Sequence, residues 1–140
     1  MAITILNQHD SVAFLRERAV GRLGCIIDGA PYVVPVNYYF DGEDIYVHSL
    51  PGRKIEALRA NPSACLQVDE IRDAYHWRSV IAYGRYEEIT HEPQREQILA
   101  ELFHRLPHLT PAEARQARGR GETVIFRLRV GEISGVRETW

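Results

Sequence analysis

An apolar run closes on His48 and Ser49, a Pro51-Gly52 pair turns the chain, and two cations, Arg53 and Lys54, open the segment that follows. The pattern reads strand, turn, helix. Cations in a first helical turn oppose the positive end of the helix dipole, where carboxylates are preferred, unless an anion docks there. Free backbone N–H groups, the Ser49 hydroxyl and two cations converging on one point would suit a phosphomonoester. Solvation of Arg53 and Lys54 as ordinary surface residues is the competing reading.

Pro35 is the second unusual residue. A proline inside a strand forfeits a ladder hydrogen bond, so it belongs at an edge or a bulge, where neighbouring backbone groups stay free. Pro35-Val36-Asn37-Tyr38 then offers peptide N–H and C=O groups and the Asn37 amide, an assortment that matches a flat heterocycle with alternating donors and acceptors. An edge strand merely blocked against aggregation is the alternative. His48 also admits two roles. Its imidazole would donate to an anion or act as an acid toward a substrate, or it would simply pack at the strand end. His76, beside Trp77, is a weaker candidate of the same kind.

Other site chemistries find no support. Neither a Ser-His-Asp order, a paired-carboxylate motif nor a His-Glu-x-x-His motif occurs. His104 and His108 are separated by Pro107, which argues against a shared metal-binding helix face. Cys25 and Cys65 fall in separate apolar segments, so they read as two buried thiols and form no CxxC pair.

The elements that must position these residues follow from the remaining pattern. The chain has 140 residues, enough for one domain and one core, and a formal net charge of −2 with a pI near 6.3. That balance argues against a nucleic-acid or membrane-surface binder, which would want a broad basic face. With no leader pattern in Met1–Gln8 and no membrane-spanning apolar run, a cytoplasmic location is expected.

Leu23–Ile27 and Pro31–Phe40 flank Asp28-Gly29, and Ile45–Ser49 follows Asp41-Gly42, so two hairpins should make a three-strand meander. After the short helix, Asn61-Pro62 stops the chain and Ala64–Val68 forms a strand. Trp77–Ile89 alternates, with Trp77, Ser79, Ile81 and Tyr83 on one side and Arg78, Val80, Ala82 and Gly84 on the other. Two faces needing burial exceed what one small barrel interior accommodates, which predicts self-association.

Helices are expected at both flanks. Asp10 or Ser11 would cap one carrying Val12, Leu15 and Ala19. Pro93 would start another carrying Ile98, Leu99, Leu102, Phe103 and Leu106, ended by Pro107. Thr110-Pro111-Ala112-Glu113 predicts a third, ending near Gly119-Arg120-Gly121. Thr123–Val130 should be a strand with Val124, Phe126, Leu128 and Val130 inward, and Glu132–Val136 another. Many strands at hairpin spacing with peripheral helices describe a small antiparallel barrel.

Pro31-Tyr32-Val33-Val34-Pro35-Val36-Asn37-Tyr38, Ile45-Tyr46-Val47-His48-Ser49 with Gly52-Arg53-Lys54 and Asn61-Pro62, and Trp77-Arg78-Ser79-Val80 followed by Gly84 carry a resemblance. Together they resemble the FMN-binding split-barrel family related to pyridoxamine 5′-phosphate oxidase, most of all its nitroimidazole-resistance branch. The match runs from about Gly21 to Ile89, with weaker agreement to Val136. It implies a mainly β, antiparallel split barrel with peripheral α-helices, a homodimer, and two FMN molecules at the subunit interface.

It also implies site roles. His48, Ser49, Arg53 and Lys54 would surround the FMN phosphate, and Pro35, Val36, Asn37 and Tyr38 would meet the isoalloxazine edge. Trp77, Ser79 and Val80 would approach from the long strand, Trp77 either across the dimer or as packing. The oxidases' basic, histidine-containing C-terminal segment has no counterpart in Gly131–Trp140, which argues against pyridoxamine-phosphate oxidation. A flavin-dependent reductase or oxidoreductase acting on a small electrophile such as a nitroaromatic, with NADH or NADPH as donor, is the expected function. A non-catalytic binder of flavin, haem or a deazaflavin coenzyme is the alternative, and a structural dimer with a vestigial site is a third.

Overall fold

The computed structural model describes residues 2–105 and 123–139. The helix expected after Thr110, together with Leu106, Pro107 and His108, lies outside the described residues. Among these residues the elements follow in the order β1 (Ile3–Ile5), α1 (Gln8–Glu17), β2 (Val20–Ile27), β3 (Ala30–Asn37), β4 (Tyr39–Phe40), β5 (Asp44–Ser49), α2 (Arg53–Ala60), β6 (Ser63–Asp73), β7 (His76–Glu88), α3 (Gln94–Arg105) and β8 (Val124–Glu138). The strands form one antiparallel sheet in the order β3-β2-β6-β7-β8-β5-β4, with β1 paired to β8. The sheet curls without closing, as a split barrel does, and β3 remains an edge.

Asp28 and Gly29 supply the positive φ angles, 52° and 78°, of the β2–β3 hairpin. The expected meander does not form. Its middle segment, Pro31–Phe40, divides at Tyr38, and its two parts lie at opposite ends of the sheet. The cause is Tyr38 itself. Its ring is buried and its hydroxyl donates to the Leu15 carbonyl at 2.5 Å, while its N–H closes the β2 pairing on the Ala19 carbonyl at 3.0 Å, in register with Val20–Asn37, so the chain leaves β2 after this residue.

The barrel interior is filled by Phe14 and Leu15 of α1, Ile55 and Leu58 of α2, and inward residues of the strands, including Leu23, Leu66, Val80, Phe126 and Leu128. A second cluster packs α3, through Ile98, Leu99 and Leu102, onto Tyr46 and Ile125. The cap of α1 is Asn7, whose Oδ1 accepts the Asp10 N–H at 2.7 Å, and neither Asp10 nor Ser11 fills that role. Ser11 lies one turn in, on the buried face beside Phe14 and Leu15.

β7 and β8 run together for most of their length, with an irregularity where Tyr83 pairs Glu132 and Gly84 pairs Val130. A Cβ on Gly84 would stand 2.7 Å from the Arg129 carbonyl oxygen, so close approach of backbone reserves that position for glycine. Glu132–Val136 is thus no separate strand but the continuation of β8. Among the described residues no helix is long and apolar enough to cross a membrane.

One pH dependence is built into this sheet. Glu87 accepts Arg129 Nε at 2.7 Å and Arg127 Nε at 2.8 Å, and these two guanidiniums hold its carboxyl down at about 2 against the ordinary 4.5. Between those values the unfolded chain binds the extra proton. The stabilisation is therefore complete above pH 4.5 and is lost as pH falls toward 2. Thermal unfolding followed across that window should show a shallower acid loss for Glu87→Gln than for the parent chain, and equal slopes would refute the assignment.

Candidate functional site

α2 begins on Gly52, which provides no side-chain cap, so the first-turn N–H groups have no side-chain acceptor, and Arg53 and Lys54 stand at that end. Arg53 donates to Asp28 at 2.9 Å, both side chains being mostly exposed, an ion pair that contributes little in water. Lys54 differs. It is half-buried, makes no hydrogen bond or ion pair among the described residues, and burial lowers the pKa of its ammonium. Both cations border a cavity of about 390 Å³ against the hairpin, completed by Ile27, Ala30, Pro31 and Tyr32. A half-buried cation beside an uncapped helix start and open space favours the approach of negative charge.

Ser49 ends β5 next to this loop, its hydroxyl donating to the Leu50 carbonyl at 3.0 Å. His48 lies on the other side of the same strand by alternation, its ring 5.9 Å from that of Phe103 on α3. Arg53 and Lys54 thus share the cavity, Ser49 precedes them in the chain, and His48 is directed to the α3 side.

The proposed isoalloxazine contacts divide between core and surface. Tyr38 and Val80 are fully buried and Val36 packs against the same core, so the side chains of these three serve the barrel interior. Pro35 and Asn37 sit on the edge strand β3, on the outer face of the sheet, where backbone groups directed away from β2 stay free. Trp77 and Ser79 share that face on β7, with Trp77 Nε1 donating to Glu138 at 3.0 Å.

β2 and β6 intervene between β3 and β7, a separation of about 14 Å at roughly 4.8 Å per strand. The structure fills that interval with a polar network the sequence reading missed. Arg22 pairs with Asp69 at 2.6 Å and with Gln67 at 3.1 Å, and Gln67 Nε2 reaches Asp69 at 2.9 Å and Ser79 Oγ at 3.0 Å. Its signal was present as polar residues at alternate positions of otherwise apolar strands. The two thiols also separate. Cys25 is buried inward, its pKa raised by burial, whereas Cys65 is half-buried beside Gly24 on the outer face.

Strand order and open barrel define a split-barrel protein, with a cation-lined cavity beside the edge strand at the start of α2. Residues 7–137 match the family described as pyridoxamine 5′-phosphate oxidase, and the chain belongs to that family. It is similar over 99% of its length to the whole of a FAD-binding protein from Mesorhizobium loti, with 36% identity and a TM-score of 0.82. The flavocytochrome Anf3 from Azotobacter vinelandii is 26% identical, with 96% of this chain and 68% of that one covered and a TM-score of 0.74. A candidate 5-nitroimidazole antibiotic resistance protein from Bacteroides thetaiotaomicron shares the fold at 18% identity, 97% and 87% coverage and a TM-score of 0.76. An uncharacterized protein of Rhizobium meliloti (strain 1021) is 34% identical over 89 residues, which span 64% of this chain and 59% of that relative.

Proposed function

We propose that the protein binds a flavin through its FMN moiety and acts as a flavin-dependent reductase on a small electrophile such as a nitroaromatic. The single observation that carries this reading is Lys54, half-buried and without an anionic partner among the described residues, beside Arg53 at the rim of the cavity against the edge strand. The residues fit a phosphorylated flavin. Arg53, Lys54, the Ser49 hydroxyl and the first-turn N–H groups of α2 would hold the phosphate, and the free edge of Pro35–Asn37 would pair with a heterocycle. The similarity to a FAD-binding protein and a flavocytochrome supports the same cofactor class.

A bound flavin supplies hydride and electron transfer at N5 and C4a; the chain supplies position, charge and exclusion of water. Pyridoxamine-phosphate oxidation forms no part of the proposal, because family and fold do not fix the substrate. A second copy of the chain is proposed to complete the site. Asn37 and Ser79 are too far apart on one sheet to grip one edge of the ring system, whereas an isologous pair brings β3 of one protomer toward β7 of its partner.

The absorption spectrum of the purified protein, before and after adding FMN, tests the cofactor. Flavin bands retained through gel filtration are expected. A Soret band would replace this reading with haem binding, and retention of no chromophore would leave a structural protein. Reduction by NADH or NADPH followed by reoxidation with a nitroaromatic tests the catalysis, and no turnover in flavin-loaded protein would favour a non-catalytic binder.

A further inference from the structure

Register partners in an antiparallel sheet share a face, so Arg22 of β2 stands on the outer face between Pro35 of β3 and Gln67 of β6. Its side chain is half-exposed, and its Nη1 donates to Asp69 at 2.6 Å and to Gln67 at 3.1 Å. Its Nε and Nη2 hydrogens have no acceptor among the described residues. We propose that Arg22 sets the reduction potential of the flavin, its guanidinium stabilising, from beside the Pro35 edge, the negative charge that the ring takes on when reduced. The proposal rests on the flavin reading and extends it to control of the cofactor's redox chemistry.

The ion pair has a direction. Arg22 occupies the strand next to β3 and Asp69 lies on β6, one strand farther, so the pair turns its positive end toward the edge strand. Gln67 fixes this arrangement. Its Oε1 accepts from Arg22 while its Nε2 donates to Asp69 at 2.9 Å and to Ser79 Oγ at 3.0 Å, which ties cation, carboxylate and β7 into one network. A surface ion pair contributes little to stability, and exposed Val20, Val33 and Ile71 lie around this one. Covering the face draws the network out of water, which costs stability and strengthens its field together.

Hydride transfer from NADH or NADPH to flavin N5 delivers two electrons and one proton, releases the oxidised nicotinamide, and leaves a negative charge over N1 and the C2 carbonyl. A cation with free N–H donors stabilises that anion far more than the neutral oxidised ring, and so raises the potential. Arg53 and Lys54 act elsewhere. Their cavity borders Pro31 and Tyr32, and Pro35 lies about 13 Å farther along β3 than Pro31. They would hold a phosphate, whose charge is the same in both redox states.

Anaerobic reductive titration of the FMN-loaded protein against a reference dye reads the midpoint potential. Arg22→Met removes the charge and should weaken binding of reduced FMN, relative to oxidised FMN, by roughly tenfold or more, which lowers the midpoint by about 30 mV for a two-electron couple. Asp69→Asn removes the opposing carboxylate and should raise the midpoint, and Arg22→Lys should stay nearer the parent than Arg22→Met. A purely structural ion pair gives no such opposition of sign. An unchanged midpoint in Arg22→Met overturns the inference, and so do shifts of one sign in Arg22→Met and Asp69→Asn; either result leaves the flavin reading intact. Should Arg22→Met fail to fold, Asp69→Asn decides, a rise supporting the inference and no change or a fall overturning it. A parent chain that takes up no FMN overturns both.

Discussion

Replacing Arg53 and Lys54 together by alanine is expected to weaken FMN binding by roughly 10²–10⁴-fold, from charge-assisted contacts of about 1.5–3 kcal/mol each before coupling between them. Riboflavin, which lacks the phosphate, should bind the parent chain far more weakly than FMN and should be indifferent to the substitutions. The effect on the ligand-free protein runs the other way. Lys54 is a half-buried cation with no anionic partner among the described residues, so Lys54→Met removes a desolvated charge and should raise the thermal midpoint of the apo form. Opposite signs for stability and affinity in one variant identify a residue retained for binding. Unchanged FMN affinity in the double variant, or equal affinity of the parent chain for riboflavin and FMN, would end the phosphate assignment.

The second large effect concerns assembly. Val20 and Val33 on β2 and β3, Ile71 on β6, Tyr83 on β7 and Val136 on β8 are exposed, by 59, 66, 67, 43 and 37%, and the strand register puts all of them on the outer face. Exposed apolar side chains set around the Arg22–Gln67–Asp69–Ser79 network on one face are expected to be covered. Light scattering at micromolar protein should report twice the 16.1 kDa chain mass. Val33→Glu/Ile71→Glu should return it to the single-chain mass. An isologous interface meets every substitution twice, and each unpaired buried charge costs about 3–5 kcal/mol. The variant should also lose flavin, because β3 and β7 would no longer face each other across the pair. A parent chain that is monomeric and still holds flavin would refute the shared site, and so would a monomeric variant with full flavin affinity.

Local pattern and tertiary arrangement divide this protein along a physical line. Asp28-Gly29, Pro51-Gly52 and Asn61-Pro62 determined their turns by backbone stereochemistry, which needs no distant partner. The alternation of Trp77–Ile89 likewise determined that Val80 and Ala82 face the core while Trp77 and Ser79 do not, since a period of two is a property of the strand alone. The cation pair at the start of α2 was legible for the same reason, as a conflict between charge and dipole that three residues suffice to state.

What required the folded chain was everything set by long-range pairing. The break at Tyr38, which turned an expected meander into strands at opposite ends of the sheet, accompanies the burial of its ring and its hydroxyl's bond to the Leu15 carbonyl. The burial of the Tyr38 and Val80 side chains, the turning of His48 toward Phe103, and the Arg22–Gln67–Asp69–Ser79 network depend on which strands became neighbours. Sequence alone picked out a cation pair at a helix start; only the tertiary structure decided that Lys54 is half-buried beside a cavity and that two strands separate Asn37 from Ser79. Desolvation and distance are properties of the surroundings, and the surroundings of a residue in an antiparallel sheet are drawn from segments far away in the chain.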